Sequence, residues 1–175
     1  MKKKRQLKNE MMPFLTADEI DSMVSKLAQQ IDYDYEGKDL VFISPLKGSI
    51  HLLADLVRKV RVPCQIDFVY LQSVERGGAI KIVKDISTNI AGKHVIIAEE
   101  VIDSGRKLSF LRNRLFASAP ASLKILALLD KPARRELPIK ADYVGKVIDD
   151  RYVVGYGMDS EEMGRNYPDI YTLKN

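Results

Sequence analysis

The sequence predicts an α/β fold with a mainly parallel central sheet flanked by helices. First, apolar runs of strand length alternate with helical patterns between residues 40 and 130. Second, short polar turns join these strands to the helices that follow them. Third, the pattern changes beyond Pro132 to short strand-like segments with no long helix after them, which predicts a small appended lobe. A length of 175 residues, 46% of them hydrophobic, suffices for a single domain over residues 1–175.

The first predicted element is an amphipathic helix. Thr16 and Glu19 have the spacing of a capping box. The apolar residues that follow at helical intervals are Ile20, Met23, Val24, Leu27 and Ile31. After a polar link, "LVFIS" predicts a buried strand, "PLKGS" a turn and "IHLLADLVRKV" a second helix. The residues expected on the buried face of this second helix are Ile50, Leu53, Ala54 and Val57.

Further strands follow in the second half of the chain. The segments "CQIDFVYL" and "AIKIV" predict two strands separated by the polar loop "QSVERGG". The segments "HVIIAEE" and "SLKILALL" predict two more, joined by a helix. That helix is expected to bury Leu108, Leu111 and Leu115. The short pieces "ADYVGKVI" and "RYVVGYG" are assigned to the appended lobe. The sequence contains no internal repeats, so a solenoid is not predicted.

Composition excludes several classes of protein. The single cysteine, Cys64, cannot form a disulfide within the chain, and no signal-peptide pattern begins the sequence, so we expect a cytoplasmic protein. No apolar run approaches the roughly 20 residues that span a bilayer, so we expect no membrane association. The net charge of +4 lies partly in the N-terminal segment "MKKKRQLK". We interpret this segment as a solvated tail, the alternatives being RNA contact or a subunit interface.

The stretch "VIIAEEVIDSGRKLSF", residues 95–110, places three acids and a glycine turn after the most hydrophobic predicted strand. Ligands of open α/β sheets bind beyond the carboxyl ends of the strands. Glu99 and Glu100 form an adjacent carboxylate pair suited to Mg²⁺ or to sugar hydroxyls. The following turn can direct backbone N–H groups and two cations at a phosphate, and comprises Asp103, Ser104, Gly105, Arg106 and Lys107. The alternative is that these acids only cap the helix.

This stretch resembles the phosphoribosyl pyrophosphate motif of type I phosphoribosyltransferases, and two further stretches narrow the resemblance to the hypoxanthine-guanine branch. These are "LKGSIHLLADLVRKV" and "LLDKPARR", the latter followed by "IKADYVGKVIDDRYVVGYGMDSEEMGRNYPDI". The match runs in order over about residues 37–173. It implies the type I phosphoribosyltransferase fold, with a hood from about residues 1–36 and 132–175, and assembly as a homodimer or homotetramer.

The resemblance also implies an activity. Enzymes of this branch use Mg²⁺ to transfer the 5-phosphoribosyl group from phosphoribosyl pyrophosphate to a 6-oxopurine. Hypoxanthine then gives IMP, guanine gives GMP, and pyrophosphate leaves. Two other classes of function stay open: a regulator on the same fold that binds phosphoribosyl pyrophosphate and RNA, and a weakened enzyme that senses metabolites.

Roles of single residues follow from the same resemblance. Asp103 matches the general acid/base that acts at purine N7. Glu99 and Glu100 match residues that face the ribose hydroxyls and the metal. The 5-phosphate would bind the backbone of residues 104–107. The pyrophosphate would bind a loop made of Leu46, Lys47 and Gly48, in which we expect the Leu46–Lys47 peptide bond to be cis.

The later stretches supply the remaining expected contacts. Arg165 would add a cation for the pyrophosphate, and Asp159 would contact Mg²⁺ close to the purine. Lys131 would donate to purine O6, which favours 6-oxopurines over adenine because an ammonium cannot accept from an amine. Tyr152 would stack on the base, and the backbone of Val153 would meet its edge.

Two positions depart from the family pattern. The mobile lid is shorter than usual and has Val74 after Ser73, where the family has tyrosine, so Arg76 is the alternative closing contact. Lys107 replaces a threonine whose hydroxyl usually binds the 5-phosphate. We therefore expect a charge to substitute for a hydrogen bond in this turn.

Overall fold

The computed structural model describes residues 11–73 and 79–173. Within these ranges the large sheet has six strands, which are β2 (Leu40–Leu46), β3 (Cys64–Ser73), β4 (Ile80–Lys84), β5 (His94–Ile102), β6 (Ser122–Asp130) and β7 (Tyr143–Val147). A small sheet contains β1 (Met11–Leu15), β8 (Val153–Val154) and β9 (Ile170–Leu173). The N-terminal basic segment and the lid residues Val74 and Arg76 lie outside the described residues.

The large sheet is mainly parallel, as predicted. Its strand order is β4-β3-β2-β5-β6-β7, and every neighbouring pair is parallel except β3 with β4. The carboxyl ends of β2, β5 and β6 therefore lie at one edge of the sheet. The carboxyl ends of these three strands, with the loops and the helix start that follow them, carry most of the sequence-predicted site residues.

Three α-helices are described. They are α1 (Ala17–Asp34), α2 (Ile50–Lys59) and α3 (Arg106–Phe116). The predicted capping box at the start of α1 is confirmed, since the Thr16 side chain accepts from the Glu19 N–H and the Glu19 carboxylate accepts from the Thr16 N–H. Leu108, Leu111 and Leu115 are buried on α3 as expected. In the described part of the chain, these helices are too short or too polar to cross a membrane.

The predicted buried face of α2 is partly wrong. The buried residues are Leu52, Leu53 and Leu56, whereas Ile50 is 45% exposed and Ala54 is also exposed. The segment "IHLLADLV" carries two overlapping helical stripes, and both contain Leu53. Packing selects the stripe with three leucines because it buries more apolar surface than the one containing alanine.

Two apolar cores lie on opposite faces of the large sheet. Alternation along β2 sends Phe42 to the core that contains Leu53, and sends Val41 and Ile43 to the core that contains Leu111. The first core packs beneath α1 and α2, and the second beneath α3. Burial on both faces explains why the central strands are almost continuously hydrophobic.

The small sheet is narrower than the expected hood. Helix α1 belongs to the core of the large sheet, and β7 pairs with β6, although both fall within the expected hood ranges of 1–36 and 132–175. The buried apolar face of α1 accounts for its place in that core, and backbone pairing with β6 accounts for the place of β7. Strand β1, which was not predicted, joins the small sheet by antiparallel pairing with β9. The single-domain organisation over residues 1–175 stays a prediction.

Candidate active site

The loop after β2 is fixed against β5. Its Leu46–Lys47 peptide bond is cis, as predicted. The buried Ser44 hydroxyl lies 2.7 Å from the Ser49 hydroxyl and 3.0 Å from the Ala98 carbonyl oxygen. These contacts place the loop beside the acid pair at the carboxyl end of β5.

Gly48 lies between the acid pair and the turn after β8. A Cβ atom at Gly48 would lie 1.9 Å from Glu100 Oε1. A Cβ atom at Gly157 would lie 1.8 Å from the Gly48 carbonyl oxygen, and Gly157 has a φ of +96°. Neither position has room for a side chain, so the loop, the acid pair and the turn are in direct contact.

The acid pair is electrostatically unusual. Burial, together with the charge of Glu100, raises the pKa of Glu99 well above its ordinary value, while Lys107 opposes this rise. Burial also raises the pKa of Glu100 to about 7, against the opposing effects of Arg165 and Lys107. Glu99 Oε2 is buried without a hydrogen-bond partner among the described residues. This oxygen is therefore free to accept from a ligand or to contact a cation.

A cavity of about 310 Å³ brings the predicted residues of three separate stretches together. The sequence-predicted residues in its wall are Leu46, Lys47, Gly48, Glu99, Glu100, Lys107, Asp159 and Arg165. Sequence reasoning missed Tyr70, Gln72 and Glu162, which also line it. Tyr70 and Gln72 could have been predicted, because alternate residues of β3 point to the same face of the sheet. For Glu162, the only sequence indication is that it lies in the last of the three stretches.

Two of the cations that line this cavity, Lys47 and Arg165, are paired with acids. Lys47 Nζ lies 2.9 Å from Glu162 Oε2, and Arg165 Nη2 lies 3.4 Å from the same oxygen. Arg165 Nη2 also lies 2.8 Å from Asp159 Oδ1. The Arg165 Nε atom is buried without a hydrogen-bond partner in the described ranges. Lys47 and Arg165 thus provide cationic donors for an anion in the same cavity as the acid pair.

A second cavity, of about 490 Å³, lies over the start of α3. The predicted residues in its wall are Glu99, Asp103, Ser104, Gly105, Arg106 and Lys107. Gly105 has a φ of +82° and leaves the first turn of α3 without a side-chain cap, so N–H groups there can bind a phosphate. Arg106 Nε lies 2.5 Å from Glu136 Oε2. Glu99 and Lys107 line both cavities, so the cavities share a wall.

Asp103 is half-exposed and has two arginine neighbours. Arg134 Nε donates to Asp103 Oδ1 at 3.0 Å and lies 3.6 Å from Asp150 Oδ1. Arg135 donates both to the Asp103 carbonyl oxygen and to the Asp130 carboxylate. Arg135 thus anchors the backbone of Asp103 to the end of β6, and Arg134 contacts its carboxylate. Neither arginine was singled out from the sequence.

Lys131, Tyr152 and Val153 line neither of these two cavities. Lys131 is buried, and its N–H donates to the Ile102 carbonyl oxygen at 3.1 Å, next to Asp103. Tyr152 is 55% exposed, and its hydroxyl donates to the Asp159 carbonyl oxygen at 3.0 Å. Val153 is buried and pairs with Thr172. A hydrogen bond therefore joins Tyr152 to Asp159, and another joins Lys131 to Ile102, the residue before Asp103.

The donor set fits Mg²⁺ only in combination with a substrate. The described residues contain no group of three or more His, Cys, Asp or Glu side chains able to hold a metal ion. Mg²⁺ in phosphate sites keeps several waters and binds one or two carboxylates together with substrate oxygens. Glu99, with its free oxygen, and Asp159 across the cavity match that requirement.

A mainly parallel sheet with a candidate phosphate site, an acid pair and paired cations near its carboxyl edge is typical of enzymes that bind sugar phosphates. Residues 16–161 match the family model for the phosphoribosyl transferase domain. The chain belongs to the type I phosphoribosyltransferases, in their hypoxanthine-guanine branch. It is 40% identical over 164 residues to a hypoxanthine-guanine phosphoribosyltransferase of Staphylococcus aureus strain Mu50, covering 91% of this chain and 92% of the relative.

Solved structures agree with this assignment. A Bacillus anthracis hypoxanthine-guanine phosphoribosyltransferase is 42% identical with a TM-score of 0.90, covering 95% of this chain and 99% of the other. A Staphylococcus aureus hypoxanthine phosphoribosyltransferase is 39% identical with a TM-score of 0.92, and the match covers 95% of this chain and 93% of the other. The predicted family and fold are therefore confirmed.

Proposed function

We propose that this protein is a purine-salvage enzyme that transfers the 5-phosphoribosyl group from phosphoribosyl pyrophosphate to hypoxanthine or guanine, with Mg²⁺. The products are IMP or GMP and pyrophosphate. The observation that carries the proposal is the single cavity in which residues from three distant stretches meet. Relatives that match almost the whole chain and carry this activity in their names support it. They do not favour an RNA-binding regulator.

The two cavities divide the donor substrate between them. The first-turn N–H groups of α3, with Arg106 and Lys107 nearby, bind the 5-phosphate. The ribose hydroxyls face Glu99 in the shared wall and Glu100 in the first cavity. The pyrophosphate lies on the loop at residues 46–48 and receives hydrogen bonds from Arg165. Bound in this way, both ends of the substrate are fixed while its central C1′ atom reacts.

The transfer breaks the bond between C1′ and the pyrophosphate oxygen and forms a bond between C1′ and a purine nitrogen. The electron pair leaves with pyrophosphate, and the cations Lys47 and Arg165 stabilise the charge that develops there. The Asp103 carboxylate accepts the proton lost from purine N7. Its negative charge also stabilises the cationic sugar of the transition state. Arg135 orients this carboxylate by holding the backbone of Asp103.

Mg²⁺, when bound to the substrate, supplies charge neutralisation on the pyrophosphate. The residues that would hold it together with substrate oxygens are Glu99, Glu100 and Asp159. On the purine side, Lys131 donates to O6, Tyr152 stacks on the ring and the Val153 backbone contacts its edge. Adenine is rejected because its 6-amino group offers no acceptor to Lys131.

The proposed function is tested by a phosphoribosylation assay with Mg²⁺ and five bases in parallel: hypoxanthine, guanine, xanthine, adenine and uracil. We expect products from hypoxanthine or guanine and none from adenine or uracil. Failure to form product from any 6-oxopurine would refute the proposal. RNA binding that weakens steeply with salt, without turnover, would support the regulator instead.

The same assay tests the role of Asp103. Asp103→Asn removes the proton acceptor, and we expect kcat to fall by roughly 10²- to 10⁴-fold. Asp150→Asn is the matched control, since Asp150 lies against the same arginine but has no role in proton transfer. Full activity of Asp103→Asn would remove Asp103 from the mechanism without affecting the function.

We also propose that the chain assembles as a homodimer or homotetramer. Family membership supports this proposal, since the resemblance implies such assemblies. Analytical ultracentrifugation of the full chain tests it, and a monomer at micromolar concentration would contradict it.

A further inference from the structure

One glutamate contacts two of the cations that line the first cavity. Glu162 Oε2 lies 2.9 Å from Lys47 Nζ and 3.4 Å from Arg165 Nη2. The Lys47 ammonium has no other hydrogen bond or ion pair among the described residues. The cation pair that the proposed function assigns to pyrophosphate is therefore engaged by a carboxylate of the chain itself.

The backbone around Glu162 has an unusual conformation. Ser160 and Met163 exchange two hydrogen bonds, of 2.9 and 3.0 Å. The two residues between them, Glu161 and Glu162, have φ values of +50° and +64°. Consecutive positive φ angles are uncommon for residues other than glycine, asparagine and aspartate. The Glu162 N–H also donates to Asp159 Oδ2 at 2.8 Å. This tight turn fixes the direction in which the Glu162 side chain leaves the backbone.

The charge state of Glu162 suits competition with an anion. The hydrogen bond from Lys47 lowers the pKa of Glu162, so the side chain is an anion at neutral pH. Its side chain is 64% exposed and therefore able to move into solvent. A carboxylate and a phosphate both accept charge-assisted hydrogen bonds from ammonium and guanidinium groups. The N–H hydrogens of Lys47 and Arg165 that point at Glu162 are not available to pyrophosphate while that contact lasts, so Glu162 competes with pyrophosphate for them.

We propose that Glu162 is an internal substitute for the pyrophosphate group. It occupies Lys47 and Arg165 before the substrate binds, is displaced by the pyrophosphate of the substrate, and returns as the product pyrophosphate leaves. Glu162 is a positioning residue in this scheme, since it acts on the reaction through the two cations. Its return lowers the affinity for free pyrophosphate and hastens product release.

A merely structural ion pair makes the opposite prediction. If Glu162 only stabilised the turn or aligned the two cations, its removal would weaken pyrophosphate binding or leave it unchanged. If Glu162 competes, its removal strengthens binding. The direction of the change therefore separates the two roles.

The test is isothermal titration of the full chain with inorganic pyrophosphate in the presence of Mg²⁺. We expect Glu162→Gln to bind pyrophosphate about 3- to 10-fold more tightly than the wild type, the range expected when exposed ion pairs must first be broken. Stopped-flow release of pyrophosphate should slow by a similar factor. Unchanged or weaker binding by Glu162→Gln overturns the proposal.

Glu162→Asp is the matched variant. It keeps the charge but shortens the side chain by one methylene, which withdraws the carboxylate from Lys47. Competition by contact predicts that Glu162→Asp also binds pyrophosphate more tightly than the wild type. If the negative charge at position 162 only repels pyrophosphate at a distance, Glu162→Asp should bind pyrophosphate with wild-type affinity. That result would also overturn the proposal.

The inference rests on the proposed function, and the experiment separates the two. The same preparations are assayed for formation of IMP and GMP. Absence of turnover by the wild type refutes the proposed function. A wild type that turns over, combined with unchanged pyrophosphate affinity in Glu162→Gln, refutes only the role of Glu162.

Discussion

Glu99 and Glu100 carry the main electrostatic cost of the site. Folding brings both carboxyl groups into a partly enclosed wall, where burial disfavours their ionised forms. Lys107 and Arg165 offset this only in part, because the pKa of Glu100 still reaches about 7. The ligand-free protein therefore binds protons that the unfolded chain releases.

This proton binding makes stability depend on pH. Glu100 titrates near 4.5 when unfolded and near 7 when folded, so the folded state binds more protons between these values. The free energy of unfolding then falls as pH rises from about 4.5 to about 7. Glu100→Gln removes this effect because it has the shape of the neutral acid. We expect it to stabilise the protein by at most about 3 kcal/mol at pH 8 and little at pH 4.5.

Urea unfolding at both pH values measures this difference. Glu36→Gln provides the control, since Glu36 is exposed just after α1. An equal gain from Glu100→Gln at both pH values would contradict the expected linkage.

Lys107 offers a second prediction for a single residue. Its charge lowers the pKa of both Glu99 and Glu100, so Lys107→Thr should raise both pKa values further. Binding of phosphoribosyl pyrophosphate with Mg²⁺ requires these carboxylates to be ionised. The pH of half-maximal kcat/KM should therefore rise by roughly 0.5 to 1 unit in the variant. A pH profile of kcat/KM checks this, and Lys140→Thr, an exposed lysine elsewhere, should leave it unchanged.

The predictability of these residues depends on how local their partners are. The turn at residues 103–107 could be predicted because its acids, glycine and cations are adjacent in the sequence. Glu162 could not, because its partner Lys47 lies 115 residues away. Pairings over such separations are set by the packing of the whole fold.

At the scale of elements, the contact between Gly48 and Gly157 joins the loop after β2 to the turn after β8. The close approach of backbone to backbone leaves no space for a methyl group at Gly157. Two segments that are distant in the chain thus constrain each other directly.

Gly157→Ala should separate these segments. The new Cβ would lie 1.8 Å from the Gly48 carbonyl oxygen, and the φ of +96° is unfavourable for alanine. The clash is with backbone, which cannot move aside as a flexible side chain can. We expect a loss of about 2 to 4 kcal/mol in the free energy of unfolding. The KM for phosphoribosyl pyrophosphate should rise at least about tenfold, because the displaced loop binds pyrophosphate less well. A tenfold rise corresponds to a loss of about 1.4 kcal/mol in binding free energy.

Gly92→Ala is the matched control. Gly92 also has a positive φ, of +71°, but no heavy atom lies within 4 Å of the position that a Cβ atom would take there. This variant should lose about 1 kcal/mol from its backbone conformation alone and keep its KM. Thermal unfolding and steady-state kinetics on both variants measure the contrast, and equal KM values would contradict it.

Strands β2, β5 and β6 could be predicted because a continuous apolar run of that length has few alternatives. Strand β1 could not, since "MMPFL" contains a proline and pairs with β9 near the other end of the chain. The buried face of α2 was ambiguous because its two stripes share Leu53.

At the scale of the whole molecule, the first cavity lies between the large sheet and the segment that carries Asp159 and Arg165. A ligand that contacts both walls should reduce the local opening of each. Phosphoribosyl pyrophosphate with Mg²⁺ should therefore protect three segments from hydrogen exchange, namely residues 46–49, 99–107 and 157–165.

Helix α1 serves as the internal control for this measurement, because it packs in a core away from the cavity. Hydrogen-exchange mass spectrometry with and without phosphoribosyl pyrophosphate and Mg²⁺ compares the protection of α1 with that of the three segments. Protection of α1 as strong as that of the three segments would indicate general stabilisation and contradict the predicted site.

The parallel arrangement of the large sheet also has a practical consequence. The loops after β2, β5 and β6 that are assigned to the substrate leave its carboxyl edge, whereas β5 begins at His94 and β6 at Ser122 on the opposite edge. A linker for immobilisation on a bead, or for fusion to a second enzyme, can be attached on that amino-terminal side. The substrate-binding edge then faces the bulk solution.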